Sequence, residues 1–118
     1  MSSFRPERVG EQILKETTGL LLRSIKDPRV AQVTLTGIRV SRDLSVARIY
    51  FTVPDPQDRG DAEQGLKSAA PFIRRELSQL MNLRFMPAIR FQYDESISHG
   101  RRIDDLLRQV QEDLHDPE

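Results

Sequence analysis

The sequence contains no cysteine among its 118 residues. A disulfide framework, a zinc site with thiolate ligands and a cysteine nucleophile are therefore excluded. Long apolar stretches are also missing, because the longest uninterrupted run, Leu20 to Leu22, is far too short to span a bilayer. The segment from Met1 to Gly10 is charged and lacks the apolar core of a signal peptide. We therefore expect a cytoplasmic protein with no membrane association, of a length that suits one domain.

The sequence has no net charge either, since 18 Lys and Arg residues balance 18 Asp and Glu residues. The distribution is uneven, however. Residues 1–93 carry 15 basic against 10 acidic side chains, whereas residues 94–118 carry 3 against 8. The total alone argues against a nucleic-acid partner, but a mildly basic body followed by an acidic segment leaves that class of partner open.

Apolar residues that recur at three- and four-residue steps predict helices, and alternating apolar residues predict strands. Gly37 interrupts the first strand and predicts a bulge there. The predicted elements are a helix over Pro6–Ile25, strands over Val30–Val40 and Leu44–Val53, a helical segment over Asp61–Met81 with Asp61 as its cap, a strand over Ala88–Tyr93 and a helix over His99–Leu114.

The second strand alternates between an apolar face and a wetter face, which is typical of a sheet with one buried side. Its apolar face carries Ala47, Ile49, Phe51 and Val53, and its other face carries Val46, Arg48, Tyr50 and Thr52. The turn at Ser41-Arg42-Asp43 is short and predicts an antiparallel hairpin.

Pro71 lies inside the helical segment, where proline removes a backbone donor and clashes with the preceding turn. We therefore predict a break near Ala70 and two shorter helices. A third strand reached across helices should run parallel to one hairpin strand. The predicted fold class is α+β, with helices on one face of a three-stranded sheet. It occupies residues 1–94 and is followed by an acidic helical tail over residues 95–118.

The order α-β-β-α-kink-α-β resembles the type II KH arrangement, in which a GxxG loop clamps single-stranded nucleic acid. This chain has no GxxG. Its sequence instead resembles the ribosome-binding factor A family over residues 5–107. The resemblance is carried by Arg8-Val9, Ile25-Lys26-Asp27-Pro28-Arg29, Val40-Ser41-Arg42-Asp43-Leu44, Phe72-Ile73-Arg74, Leu83-Arg84 with Pro87, Phe91 with Asp94 and Ser96, and Gly100 with Ile103 and Leu106-Leu107.

The resemblance implies a KH-like protein that binds the 30S small ribosomal subunit and its 16S rRNA. It would assist rRNA processing and late subunit assembly without catalysis and without a cofactor. In that family an Ala-x-Gly bend replaces GxxG, and the matching residues here are Ala69, Ala70 and Pro71. Proline favours the bend but has no N–H to offer a phosphate. Nothing in the sequence requires a dimer, so we expect a monomer.

RNA binding needs cations, because neutralising phosphates releases counterions and supplies much of the affinity. For any single Lys or Arg, the competing interpretation is a solvated surface charge. Arg74 and Arg75 are strong candidates, because they lie in the first turn of the helix predicted to follow the break near Ala70. A positive charge there opposes the helix dipole. The candidate RNA-binding residues are Arg5, Arg8, Lys26, Arg29, Arg42, Lys67, Arg74, Arg75 and Arg84.

Aromatic side chains on a sheet can also stack on RNA bases. Phe51 and Phe91 share their register with aliphatic residues, so we interpret both as core residues. Tyr50 points to the wetter face and is the better candidate for an exposed ring.

Two other classes of function compete with RNA binding. An enzyme is disfavoured because no nucleophile–base pair, glycine-rich phosphate loop or metal-spaced histidine set is present. Acidic residues that could hold a cation are more simply interpreted as helix caps and solvated side chains, so no metal site is predicted. The alternative function is a protein-binding adaptor whose acidic tail docks basic ribosomal proteins, or masks the basic body until RNA displaces it.

Overall fold

The computed structural model describes residues 5–96. Two helices, α1 (Arg5–Arg23) and α2 (Arg59–Leu80), accompany three strands, β1 (Thr34–Val40), β2 (Val46–Thr52) and β3 (Ala88–Tyr93). Short 3-10 helices over Pro28–Val30 and Pro56–Asp58 precede β1 and α2. The predicted C-terminal helix over His99–Leu114 lies outside the described residues.

The three strands form one sheet in the order β1-β2-β3. β1 and β2 pair antiparallel, and their register shifts between Leu35 and Gly37, which confirms the hairpin and the predicted bulge. β3 pairs parallel with β2, as expected for a strand reached across a helix. The structure is therefore α+β with a KH-like arrangement, and the predicted fold class is confirmed. β1 and β3 are opposite edges of this sheet.

The helices cover one face of the sheet, and the core lies between the helices and that face. Phe51 is completely buried and meets the ring of Tyr93 edge-on, with 5.6 Å between the ring centroids. The interpretation of Phe51 as core is confirmed. The core consists of two clusters of buried residues, one that includes Ile49 and Ile73 and one that includes Phe51 and Leu66. Phe91 is only half-buried but packs against both clusters. The largest fully buried aliphatic side chains are Ile13, Ile49, Leu66, Ile73 and Leu77.

The predicted break near Ala70 is wrong, because α2 runs as one helix from Arg59 to Leu80 with Pro71 inside it. Proline in a helix interior costs about 3 kcal/mol, since the carbonyl four residues earlier loses its donor. Burying a large aliphatic side chain contributes about 1.5–3 kcal/mol. Leu66 lies before Pro71, and Ile73 and Leu77 lie after it, all fully buried. Burial on both sides therefore outweighs the cost of Pro71.

Two further predicted boundaries are corrected by local hydrogen bonds. β1 starts at Thr34 rather than Val30, because Asp27 accepts from the N–H of Arg29 and caps the 3-10 helix Pro28–Val30. Asp61 is not the cap of α2. That helix already begins at Arg59, directly after the 3-10 helix that Asp55 caps, and Asp61 is the acidic residue of its first turn.

Candidate nucleic-acid interface

An open cleft of about 950 Å³ lies between α2 and the edge strand β3. We call it the α2–β3 cleft. Its shape follows from the topology, because α2 packs across the sheet beside β3 and leaves the outer edge of that strand uncovered by any other described strand. The cleft is lined by Arg59, Glu63, Lys67, Ala70, Pro71, Arg74, Arg75 and Ser78 of α2 and by Ala88–Tyr93 of β3.

Five cations and one carboxylate line the cleft, but two of the cations are already engaged. Arg59 donates to Glu63 at 2.9 Å, lies 3.1 Å from Glu95, and places its guanidinium 4.4 Å from the ring centroid of Tyr93. The bond to Glu63 raises the pKa of Arg59. Its charge is therefore balanced within the protein, so Arg59 is less available to a ligand than an unpaired cation.

Arg74 is the second engaged cation. It donates from Nη2 to the carbonyl oxygen of Met86 at 3.1 Å and from Nε to that of Pro87 at 3.4 Å. These bonds attach α2 to the segment that leads into β3. Arg74 thus helps to hold the two walls of the cleft in place.

Lys67, Arg75 and Arg90 are the three remaining cations of the cleft. All are exposed, and none forms an ion pair or a side-chain hydrogen bond with another residue in the range 5–96. Phosphate oxygens are the natural partners of such groups. The uncovered edge of β3 adds backbone N–H and C=O groups that no described strand pairs. The cleft therefore combines free positive charge with free hydrogen-bonding groups.

The predicted bend residues divide between two hollows on either side of α2. Ala70 and Pro71 line the α2–β3 cleft, and their short side chains leave room in its wall. Ala69 lines a smaller hollow of about 260 Å³ near the end of α1, which also contains Lys26 and Asp27. Lys26 is exposed there.

Arg29 lies near that smaller hollow but already has a partner. Its Nη2 atom is 2.7 Å from Oδ2 of Asp27, and its Nε donates to the same carboxylate. These bonds lower the pKa of Asp27 and raise the pKa of Arg29. An RNA phosphate would have to displace a carboxylate here, so Arg29 is a weaker candidate than Lys26.

The nine candidate cations do not share one surface. All nine are exposed. Arg42 lies in a hollow between the start of α1 and β1, at the opposite edge of the sheet from the cleft. Arg84 places its guanidinium 5.5 Å from the ring centroid of the exposed Phe85. Arg5 and Arg8 belong to the first turns of α1.

Arg59 and Arg90 line the cleft but were missed as candidates from the sequence. Arg90 carried a usable signal, because it alternates with the apolar Ile89 and Phe91 on a predicted strand. Arg59 lies in a loop-like stretch of the sequence and gave none. In the part of the chain that the structure describes, no group of three or more acidic or histidine side chains could hold a metal ion. Neither described helix is long and apolar enough to span a bilayer.

Comparison with known proteins identifies the family. The family model for ribosome-binding factor A matches residues 5–107. The chain belongs to the ribosome-binding factor A family. It is 42% identical to ribosome-binding factor A of Desulfosudis oleivorans, over 98% of this chain and 92% of that protein.

Solved structures of ribosome-binding factor A share the fold. The crystal structure of the Thermus thermophilus protein superposes with a TM-score of 0.65 at 20% identity, over 75% of this chain and 94% of that one. A homology model of the Thermus thermophilus protein, fitted into a cryo-EM map of a 30S complex, gives a TM-score of 0.55 at 22% identity. It covers 71% of this chain and 93% of that one. This family member carries Pro71 inside an unbroken helix where the family resemblance predicts a glycine at a bend.

Proposed function

We propose that this protein binds the 30S ribosomal subunit by contacting 16S rRNA, and that it assists late maturation of the subunit by binding rather than by catalysis. It would act in the cytoplasm as a monomer. The α2–β3 cleft is the proposed main contact, with Lys67, Arg75 and Arg90 meeting RNA phosphates.

The observation that carries this proposal is a group of three cations that have no side-chain partner within residues 5–96 and line a cleft beside a strand edge that no described strand pairs. An RNA backbone offers one negative charge per nucleotide, and phosphates account for much of the binding free energy of RNA-binding proteins. The backbone N–H and C=O groups on the β3 edge can in addition form hydrogen bonds with base edges, which are accessible in single-stranded RNA. Both kinds of contact are available from one side of α2.

The family supports the choice of partner. The family name describes ribosome binding, and the Thermus thermophilus relative was fitted into a map of its complex with the 30S subunit. The cleft presents guanidinium, ammonium and backbone amide groups. Such groups can bind RNA and stabilise one of its conformations.

The test is co-sedimentation of the protein with purified 30S subunits, compared with 70S ribosomes, at increasing salt. We expect binding to the 30S subunit only. If three to four phosphates are neutralised, log K should fall against log salt with a slope of about −3. The variant Lys67→Gln with Arg75→Gln should lose affinity and flatten this slope, whereas Lys15→Gln on exposed α1 surface is the matched control. An unchanged slope in the double variant would exclude the cleft as the RNA contact.

A further inference from the structure

The face of the sheet opposite the helices carries three arginines in one row. Arg39 of β1 is the register partner of Arg48 in β2, and Arg48 is the register partner of Arg90 in β3. Side chains that are register partners project from the same face of a sheet, with neighbouring strands about 4.8 Å apart. All three are exposed. We call Arg39, Arg48 and Arg90 the arginine row.

The arginine row is not neutralised by ion pairs within residues 5–96, although Glu7 lines the same hollow as Arg39 and Glu63 lines the same cleft as Arg90. The three strands contain no Asp or Glu. No row member forms an ion pair with any residue between 5 and 96. Among the acidic residues near the strand ends, Asp43 accepts hydrogen bonds from serines of its own turn, Asp94 accepts from the Thr36 hydroxyl at 2.6 Å, and Glu95 reaches Arg59. Like charges placed opposite each other on a sheet repel, so the row lowers the stability of the free protein and favours an external anion.

An aromatic ring lies beside the row on the same face. Tyr50 follows Arg48 by two residues on β2 and is half-buried. Its register partners are Gly37 in β1 and Gln92 in β3. A Cβ atom built at Gly37 would meet nothing within 4 Å, so the space next to Tyr50 is open. A ring flanked by free space and cations is the arrangement on which single-stranded nucleic acid stacks its bases.

We propose that the open face of the sheet is a second RNA-binding surface that takes single-stranded RNA, with phosphates on the arginine row and a base on Tyr50. This surface is distinct from the α2–β3 cleft, although Arg90 borders both. Single-stranded RNA is favoured over a duplex because only an unstacked base can lie on Tyr50. A protein with both surfaces would hold two RNA segments on different sides of one small sheet.

The acidic residues at the C-terminal end of the chain are the other candidate for this positive face. Glu95, which follows β3 closely, contacts Arg59 of α2 and not the arginine row. Carboxylates would also leave Tyr50 without a stacking partner. The open face therefore suits RNA better than it suits the acidic segment.

The test measures binding of a labelled short oligouridine, and of an RNA hairpin with a fully paired stem, by fluorescence anisotropy with the full chain. We expect Arg48→Gln to weaken oligouridine binding and to reduce the salt slope by about 0.7. Tyr50→Leu should weaken oligouridine binding by about five-fold or more, with little effect on the hairpin. Lys15→Gln is the charge-matched control, and thermal melting checks that each variant is folded.

Three outcomes overturn the inference. If Lys67→Gln with Arg75→Gln loses oligouridine binding while Arg48→Gln and Tyr50→Leu keep it, only the cleft binds RNA and the proposed function stands. If Arg48→Gln weakens the hairpin and oligouridine equally and Tyr50→Leu weakens neither, the face contacts duplex phosphates. If a peptide of residues 104–118 shifts the amide resonances of Arg48 and Tyr50 and oligouridine does not, the acidic segment is the occupant.

Discussion

Arg74 and Arg75 are neighbours in the sequence but play different parts in the structure. The Arg74 side chain donates to the carbonyl oxygens of Met86 and Pro87, whereas the Arg75 side chain has no hydrogen-bond partner among the described residues. The first is committed to holding α2 against the segment before β3, and the second is free for a ligand.

Replacing these two arginines one at a time should therefore separate stability from binding. We expect Arg75→Gln to leave the free energy of unfolding unchanged and to reduce the salt slope of RNA binding by about 0.7–0.9. Arg74→Gln should lower the free energy of unfolding by about 1 kcal/mol, because it loses hydrogen bonds to two carbonyls. Urea denaturation and salt titration measure the two effects. Equal loss of stability in both variants would contradict the assignment.

Gly65 allows α2 to approach the 3-10 helix over Pro28–Val30. A Cβ atom at Gly65 would lie 2.8 Å from Cγ1 of Val30 and 3.0 Å from Cβ of Arg29. We expect Gly65→Ala to destabilise the protein by about 1–3 kcal/mol through overpacking. Gly60→Ala is the control in the same helix, because a Cβ there meets nothing within 4 Å. It should be neutral or stabilise by up to about 1 kcal/mol, since alanine favours the helix. Denaturant midpoints compare the two.

Thr17 on α1 is fully buried, and its hydroxyl finds no hydrogen-bond partner among residues 5–96. A buried hydroxyl without a partner costs about 1–3 kcal/mol. Thr17→Val keeps the shape and removes the hydroxyl, so we expect a higher melting temperature. Thr18→Val is the matched control, because the Thr18 hydroxyl is exposed and donates to the carbonyl of Leu14 at 2.8 Å. It should change stability by less than about 0.5 kcal/mol. A destabilised Thr17→Val variant would show that the hydroxyl has a partner in solution.

Asp43 stabilises the β1–β2 turn in its ionised form. Its Oδ1 atom accepts from the hydroxyls of Ser41 and Ser45 and from the N–H of Ser45. These bonds hold the pKa of Asp43 below its usual value, with the Ser45 hydroxyl as the largest cause. They also support Leu44, whose φ of 62° places it in the left-handed region that costs a branched side chain about 1–2 kcal/mol.

The stability contribution of Asp43 should therefore depend on pH. A carboxylate with a lowered pKa stabilises the folded state above about pH 4, and this contribution disappears as the pH falls through the folded-state pKa. We expect Asp43→Asn to be less stable than the parent protein at neutral pH, with the difference closing in acid. Thermal melts from neutral pH to about pH 2 measure it. Asp58→Asn is the control, because Asp58 makes no side-chain capping bond at the start of α2. A constant difference across this range would contradict the role of the charge.

Local patterns in the sequence predicted most of the fold. Alternation located β3 at Ala88–Tyr93 and assigned the buried face of β2 correctly, since both depend only on which residues avoid water. The predicted helix break at Pro71 was wrong because its outcome depends on tertiary packing, which local patterns do not show. Its local cost was visible in the sequence, whereas the burial of Leu66, Ile73 and Leu77 that outweighs it depends on packing against the sheet.

The candidate site was less predictable than the fold, because only the tertiary structure determines which side chains lie on the same surface. Lys67, Arg75 and Arg90 meet only because α2 lies beside β3 and not beside β1. Arg59 and Glu63 are four residues apart, a spacing that favours an ion pair within a helix, but the predicted helix began at Asp61 and left Arg59 outside it. The pairing of Arg29 with Asp27 depends on the 3-10 helix at Pro28–Val30, which the sequence did not predict. The alignment of Arg39, Arg48 and Arg90 required the register of both strand pairs, including the shift at the bulge.

The outer edge of β3, which no described strand pairs, has a consequence for solubility. An open strand edge invites another copy to pair with it, and proteins commonly protect such edges with charged side chains. Arg90 lies on this strand, and Lys67 and Arg75 of α2 line the cleft beside it, so two copies approaching each other there would bring like charges together. The cations suited to an RNA backbone thus also discourage edge-to-edge aggregation. Variants that neutralise these cations should aggregate more readily through the β3 edge.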